Sequence, residues 1–187
     1  QEEGVLAECN IDVIQMQDVV EFPNYQSELT FLTTDERRLK YLSGLIEAMS
    51  ENGNTLVLVD RIKSGERLQE MLPDATFVRG AMKSADRKDT YKDINEATNM
   101  VVIATYGVAA VGINIPRIFN LVLVEPGKSF VRVIQSIGRG IRKAKDKDHI
   151  QIWDITSSCK FSKRHLTQRK KFYREAHYPF RVQKVDY

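Results

Sequence analysis

Cysteine is scarce in this chain, and long apolar segments are missing from it. The 187 residues include two cysteines, Cys9 and Cys159, without the Cys-x-x-Cys spacing of zinc and redox motifs. This predicts neither a disulfide framework nor a zinc site, and it favours a reducing, cytoplasmic compartment. No apolar run approaches the roughly 20 residues that a membrane-spanning helix needs, and no signal peptide is recognisable. We therefore expect a soluble protein without a membrane partner.

A phosphate-binding loop of the Walker A type is also missing. Gly127-Lys128-Ser129 follows an apolar run as that motif does, but the glycine required five residues before Gly127 is replaced by Val122. The backbone between the apolar run and Gly127 is too short to surround a phosphate. We interpret the segment as a tight turn with Ser129 as the N-cap of a helix. Without that loop, or an acidic Mg²⁺-binding strand end, the chain alone should not hydrolyse ATP.

Charge is distributed unevenly along the chain. The formal net charge is only +3, from 28 Lys and Arg and 25 Asp and Glu. Residues 156–187 carry nine basic and two acidic residues, a net charge of +7, whereas the preceding part carries nineteen basic and twenty-three acidic residues, a net charge of −4. A basic segment on a mildly acidic body favours contact with a nucleic-acid backbone over a solubilising role alone.

Short β-branched runs alternate with helix-like stretches from Asn54 to Ile155. This alternation predicts a parallel sheet covered by helices, and 42% hydrophobic residues in a chain of 187 are sufficient for one core. The predicted strands are 55–59, 75–79, 100–105, 120–124 and 149–155. The predicted helices are 34–52, 64–72, 84–97 and 129–142. Thr33 and Glu36 would form a capping box at the start of the first helix, and Gly53 would end it.

Residues 1–32 show no helical period. Ile11, Val13 and Met16 lie among polar residues and indicate one strand, which is followed by a connecting segment with a break at Pro23-Asn24. We therefore divide the chain into three parts. Residues 1–32 are a first strand and linker from an upstream domain, residues 33–156 are the α/β domain, and residues 157–187 are a basic helical extension.

The basic extension also contains aromatic residues. Its cations are interleaved with Phe161, Phe172 and Tyr173. These rings can stack on nucleobases while the cations contact phosphates, or they can dock the helix onto the domain, which is the interpretation we favour. His165 and His177 have no partners at metal-ligand spacing, so we expect no metal site.

Two arginines lie three residues apart near the end of the last helix predicted in the domain. In Gln135-Ser-Ile-Gly138-Arg139-Gly-Ile-Arg142, both guanidinium groups lie on one helical face. Each can offer a planar fork of donors to phosphate oxygens, as an arginine finger does. Taken alone, such a pair is more typical of favourable charge at a helix C-terminus.

This segment does not stand alone, because four blocks in order resemble the motifs of superfamily 2 helicases. The segment from Gln135 to Arg142 resembles motif VI. Residues 101–105 followed by Gly112-Ile-Asn114-Ile-Pro116 resemble motif V, and residues 55–60 resemble the motif IV strand. The fourth block is Gly80 with Ser84 and Arg87, which resemble the residues that open the next helix. The resemblance covers about residues 34–155. It implies a RecA-like (P-loop NTPase-type) parallel sheet flanked by helices, forming the second lobe of such an enzyme and followed by the basic helical tail.

The resemblance implies roles at the nucleotide. Arg139 and Arg142 would reach the terminal phosphates of ATP held by an upstream RecA-like domain of the same polypeptide, supported by Gln135 and with Gly138 beside the nucleotide. Mg²⁺ would be held mainly by that upstream domain.

Two further residues of the motif V block would lie near the nucleotide. Gly112 would give backbone clearance there, and Asn114 would lie near the ribose or the catalytic water. Many members of the family carry Asp at the position of Asn114, and Asn brings no charge.

A second set of implied roles concerns nucleic acid. In the family, the residue at the position of Thr105 touches the nucleic-acid backbone at the end of its strand. Gly80 and Arg87, with Ser84, resemble the residues that open the next helix, where main-chain N–H groups contact the backbone. From the basic extension we add Lys163 and Arg164 as candidate contacts.

Over its whole length, including the Tyr178-Pro179-Phe180-Arg181 ending, the chain resembles the recombination helicases of T-even phages. That resemblance implies a monomeric, DNA-dependent ATPase that migrates branches and unwinds D-loops and R-loops in recombination, repair and replication, in the host cytoplasm if the protein is of phage origin. Two alternatives stay open, half of an RNA helicase and a non-catalytic module that binds nucleic acid or protein. A nucleotide-binding enzyme that uses residues 127–129 is the least favoured function.

Overall fold

One parallel sheet organises the molecule. The computed structural model describes residues 9–79, 96–110, 118–127, 130, 133–134 and 149–187. The described strands are β1 (Cys9–Met16), β2 (Thr55–Val59), β3 (Thr76–Val78), β4 (Val101–Thr105), β5 (Asn120–Val124), β6 (Ile150–Ser157) and β7 (Phe180–Val185). They form a seven-stranded sheet in the order β3-β4-β2-β5-β6-β1-β7, and every pairing is parallel. All strands therefore end at the same edge of the sheet.

Helices cover the sheet. The described helices are α1 (Tyr25–Thr34), α2 (Glu36–Ser50), α3 (Ile62–Met71), α4 (Tyr106–Ala110) and α5 (Lys160–Glu175). In the described parts of the chain, none of the helices has the length and apolar content needed to span a membrane. The predicted α/β class, with helices flanking a parallel sheet, is confirmed.

The core has two layers because successive residues of a strand point to opposite faces of the sheet. On one face, Val57 and Val122 pack with apolar residues of α2 and α3, such as Ile46. On the other face, Leu56 and Leu121 pack with a group that includes residues of α4 and α5. Burial on both faces explains why β2 and β5 are continuous runs of apolar and β-branched residues.

The helix predicted at 34–52 corresponds to α2, which begins at Glu36, and a separate helix, α1, precedes it. Asp35, not Thr33, caps α2, because its carboxylate accepts from the N–H of Arg38 at 3.1 Å. Thr33 lies inside α1, where its hydroxyl donates to the carbonyl of Leu29 at 2.8 Å and is not available as a cap. The helix α1 itself falls partly within residues 1–32, which were predicted to contain a strand and a connecting segment.

The other predicted elements agree in part with the structure. The strands 55–59 and 120–124 are confirmed residue for residue, and the remaining three overlap β3, β4 and β6. The helix predicted at 64–72 is α3, and the strand predicted near Ile11 is β1. Most of the helices predicted at 84–97 and 129–142 lies outside the described residues. Within the second of them, Phe130, Val133 and Ile134 are helical and buried on the α5 side of the sheet.

The basic extension is more than a helix. Its predicted helix is α5, but the extension also contains β7, which pairs in parallel with β1 and was not predicted. The sheet therefore takes strands from all three of the parts into which the sequence was divided. The division into an upstream linker, a domain and an extension stays a prediction.

Candidate nucleic-acid interface

Thr105 lies at the edge where the strands end. It is the last residue of β4 and pairs with Val59 of β2, so that Asp60 follows on the neighbouring strand. Thr105 is half-buried, and its hydroxyl lies 3.4 Å from the N–H of Val108, at the start of α4. The predicted position of Thr105 at a strand end is confirmed. In open α/β sheets this edge faces the ligand crevice.

A cleft of about 580 Å³ opens at this edge of the sheet. It lies where β2, β4 and β5 end and where α1 and α5 begin. Its lining combines aromatic, acidic and basic side chains: Tyr25, Asp60, Tyr106, Glu125, Pro126, Gly127, Phe161, Arg164, His165 and Gln168. The structure therefore brings Arg164 of the extension to the same cleft as Tyr106, the residue after Thr105.

One face of α5 is buried and the opposite face is basic. The buried face includes Ser162, His165, Leu166, Arg169 and Tyr173. The exposed residues of α5 are Lys160, Lys163, Arg164, Thr167, Gln168, Lys171, Arg174 and Glu175. Five cations therefore lie on one side of the helix, along roughly 21 Å at 1.5 Å per residue. Lys163 and Arg164 are exposed, as a backbone contact requires.

A buried ion pair fixes α5 to the sheet. Asp154 of β6 accepts from Arg169 at 2.8 and 2.9 Å, and the hydroxyl of Tyr173 donates to the same carboxylate at 2.7 Å. None of the three residues is more than 1% exposed. Burial lowers the pKa of Arg169, but the Asp154 carboxylate outweighs this and the net pKa is raised. The predicted docking of the extension onto the domain is thus confirmed around Arg169 and Tyr173.

The N-terminus of α5 is occupied by a side chain from α1. The carboxylate of Glu28, itself 1% exposed, accepts from the N–H groups of Phe161 and Ser162, both at 3.0 Å. Cys159, the N-cap residue, makes no side-chain capping bond. Because Glu28 satisfies these donors, the helix terminus is already neutralised, and contact with a phosphate at α5 must use side chains.

Glu125 follows β5 in a left-handed turn. Its φ is +46° and that of Gly127 is +64°, which explains a glycine at the second of these positions. The Glu125 carboxylate is buried and accepts from Arg38 at 2.8 Å. Burial raises the pKa of Glu125 to about 7, against the attraction of Arg38 and Arg169, which lowers it. The end of β5 at Val124 agrees with the predicted tight turn; Lys128 and Ser129 lie outside the described residues.

The remaining predicted site residues fall outside the described part of the chain. Those assigned to the nucleotide are Gln135, Gly138, Arg139, Arg142, Gly112 and Asn114, and those assigned to nucleic acid are Gly80 and Arg87. Their roles stay predictions. Among the described residues, no group of three or more His, Cys, Asp or Glu could hold a metal ion.

Three residues of the interface were missed from the sequence. Glu28, Glu125 and Asp154 support α5 and the β5 turn through partners that lie 133, 87 and 15 residues away along the chain. A local signal existed only for the helix that carries Glu28. Asn24, read as part of a break, caps α1 by accepting from the N–H of Ser27 at 2.9 Å.

The known proteins to which this chain is similar in sequence are helicases. Residues 37–144 match the family model of the helicase conserved C-terminal domain. By sequence, the chain is 24% identical over 182 residues to the ATP-dependent DNA helicase UvsW of Enterobacteria phage T4, covering 91% of this chain and 36% of that protein. It is 28% identical over 140 residues to a putative helicase of a Sulfolobus islandicus filamentous virus, covering 64% and 25%.

Solved structures give the same fold. The crystal structure of T4 UvsW matches with a TM-score of 0.84 and 19% identity, over 96% of this chain and 42% of that one. S. cerevisiae Dbp5 bound to RNA and ADP BeF3 matches with a TM-score of 0.60 and 19% identity, over 97% and 42%. The chain spans about a third or less of the length of the curated relatives. The predicted resemblance is confirmed, and the chain belongs to the helicase conserved C-terminal domain family, with the RecA-like fold of a helicase C-terminal lobe.

Proposed function

We propose that this chain is the C-terminal half of an ATP-dependent DNA helicase or translocase. The observation that carries the nucleic-acid part is the cleft at the sheet edge, because it joins Arg164 of the extension to Tyr106, directly after Thr105. Around it, the exposed cations of α5 offer contacts to phosphates that do not depend on sequence. Such contacts suit an enzyme that moves along any strand.

The nucleotide is the second part of the proposal. In the proposed two-lobed protein, an upstream RecA-like lobe in the same polypeptide holds ATP and Mg²⁺. This chain then supplies Arg139 and Arg142 as arginine fingers, with Gln135 supporting them. Family membership supports this assignment, since the motif VI resemblance falls within the matched residues 37–144. We expect the chain alone to be inactive as an ATPase.

The substrate is the third part. Similarity to UvsW, an ATP-dependent DNA helicase, supports DNA, and with it the remodelling of branched DNA in recombination, repair and replication. The protein would act as a monomer in the cytoplasm. Half of an RNA helicase is the second candidate, and the structural likeness to Dbp5 bound to RNA favours it.

The test compares nucleic acids as activators of the two-lobed protein. ATP hydrolysis is measured with branched DNA, single-stranded DNA and RNA at one salt concentration, since affinity for phosphate backbones depends steeply on salt. We expect branched DNA to stimulate turnover most. Stimulation by RNA alone would select the second candidate. Binding of nucleic acid without ATP hydrolysis in any mixture would leave only a binding module.

A further inference from the structure

We propose that the cleft at the sheet edge receives one unstacked nucleobase of a single strand, with Phe161 as the stacking surface. This inference rests on the proposed function and deepens it, because it names where a base, and not only the backbone, is held. The cleft volume of about 580 Å³ lies within the roughly 300–1,000 Å³ range of small-molecule sites.

Phe161 and His165 are the aromatic residues of α5 that line the cleft, but His165 is buried, with its ring 4.8 Å from that of Tyr25. Tyr173 is 1% exposed and packs in the core, whereas Phe161 is half-buried. The guanidinium carbon of Arg164 lies 5.5 Å from the centre of the Phe161 ring, and the ammonium of Lys160 lies 5.6 Å from it. Both cations lie over the Phe161 ring, so a base that stacks there must displace at least one of them, and the displaced cation can then contact a phosphate of the same strand.

The backbone of Phe161 is held before any ligand arrives. Its N–H donates to the buried carboxylate of Glu28 at 3.0 Å, so the first turn of α5 is tied to α1. The ring of Tyr25, also in α1, lies 6.3 Å from the Phe161 ring. A surface fixed in this way loses less conformational entropy on binding than a free side chain would.

Charge decides which part of a nucleotide enters the cleft. Asp60 contributes a carboxylate to its lining, and this repels a phosphate. Arg164 also lines the cleft, while Lys160 and Lys163 are exposed on the same helix. A nucleotide therefore fits with its base inside and its phosphates against the cations of α5.

Hydrogen-bonding groups in the cleft suit a base edge. Asp60 can accept an N–H, and Gln168 can both donate and accept. The hydroxyl of Tyr106 donates to the carbonyl of Val124 at 2.9 Å, so this residue offers its ring and not a free hydroxyl.

The test uses the two-lobed protein and two oligonucleotides of equal length, one with bases and one made of abasic sites. Phe161→Leu removes the ring but keeps an apolar side chain, and Phe161→Tyr keeps the ring. Because stacking on an aromatic side chain contributes about 1–3 kcal/mol per base, we expect Phe161→Leu to bind the base-bearing strand roughly 5- to 160-fold more weakly. Its affinity for the abasic strand should be unchanged, and Phe161→Tyr should bind like the wild type.

A matched control is Phe22→Leu, which alters a half-buried ring paired with Phe31 away from the cleft lining. A base analogue whose fluorescence is quenched by stacking supplies a second readout, and the wild type should quench it more than Phe161→Leu does. If Phe161→Leu weakens binding of both strands equally, or of neither, the base site is overturned and the proposed function stays intact. If binding of neither strand changes, the cleft would suit a protein partner instead. A wild type that binds neither strand would remove both proposals.

Discussion

Removing the guanidinium of Arg169 should destabilise the fold strongly. The substitution Arg169→Met preserves most of the side-chain volume but leaves the Asp154 carboxylate, 0% exposed, with only the hydroxyl of Tyr173 as a partner among the bonds described above. Removing one partner of a buried ion pair typically costs about 3–5 kcal/mol, because an uncompensated charge stays in the interior. Total stabilities of domains are about 5–15 kcal/mol, so this loss would be a large fraction.

Urea unfolding of the chain at pH 7 measures the effect, provided that the slope with denaturant is unchanged. Lys171→Met is the matched control, because the Lys171 ammonium is exposed and lies 3.9 Å from Glu175, an arrangement worth about 0–1 kcal/mol. Replacing Asp154 by Leu together with Arg169→Met should be less harmful than the sum of the two single changes, since no lone charge remains. A free energy of unfolding for Arg169→Met within about 1 kcal/mol of the wild type, against the 3–5 kcal/mol expected, would refute the proposed anchoring of α5.

Two further predictions concern Glu125 and the cations of α5. Burial raises the pKa of Glu125 from 4.5 to about 7. Between these pH values the folded chain holds a proton on Glu125 that the unfolded chain has released, and this stabilises the fold. The stabilisation is lost as the pH rises through 7. The unfolding free energy of the wild type minus that of Glu125→Gln should therefore fall by about 2–3 kcal/mol from pH 5 to pH 8, and a constant difference in urea unfolding would contradict it. Replacing Lys163 and Arg164 by Ala should weaken binding of single-stranded DNA and make the salt dependence of log K shallower by about 1.4, measured by fluorescence anisotropy with Lys184→Ala as the exposed control; an unchanged slope would exclude them as phosphate contacts.

The central strands could be predicted from the sequence because burial on both faces leaves a direct trace in it. Thr55–Val59 and Asn120–Val124 are apolar along almost their full length, and the position of Thr105 at a strand end follows from the same pattern. In contrast, β7 at the sheet edge alternates half-buried and exposed residues and depends on pairing with β1, about 170 residues earlier. No local sequence pattern identifies a partner strand at that distance along the chain.

The orientation of α5 could not be predicted for a different reason. Its buried face contains Ser162, His165 and Arg169, so polar residues interrupt the apolar stripe that marks a docked helix. Arg169 belongs in the core only because Asp154 lies opposite it on β6. The sequence therefore left docking and nucleic-acid contact as alternatives. The structure shows docking on one face of the helix and exposed cations on the opposite face, where we propose the nucleic-acid contact.

We propose that this lobe acts on a nucleotide held by another lobe, and Arg142 tests that role most directly. In the two-lobed protein, Arg142→Ala should leave the affinity for ATP nearly unchanged, because the finger acts on the transition state. Nucleic-acid-stimulated turnover should fall by about 10³- to 10⁵-fold, and Arg142→Lys should restore little of it, since Lys lacks the planar fork of donors. A turnover number for Arg142→Ala equal to that of the wild type would contradict the account.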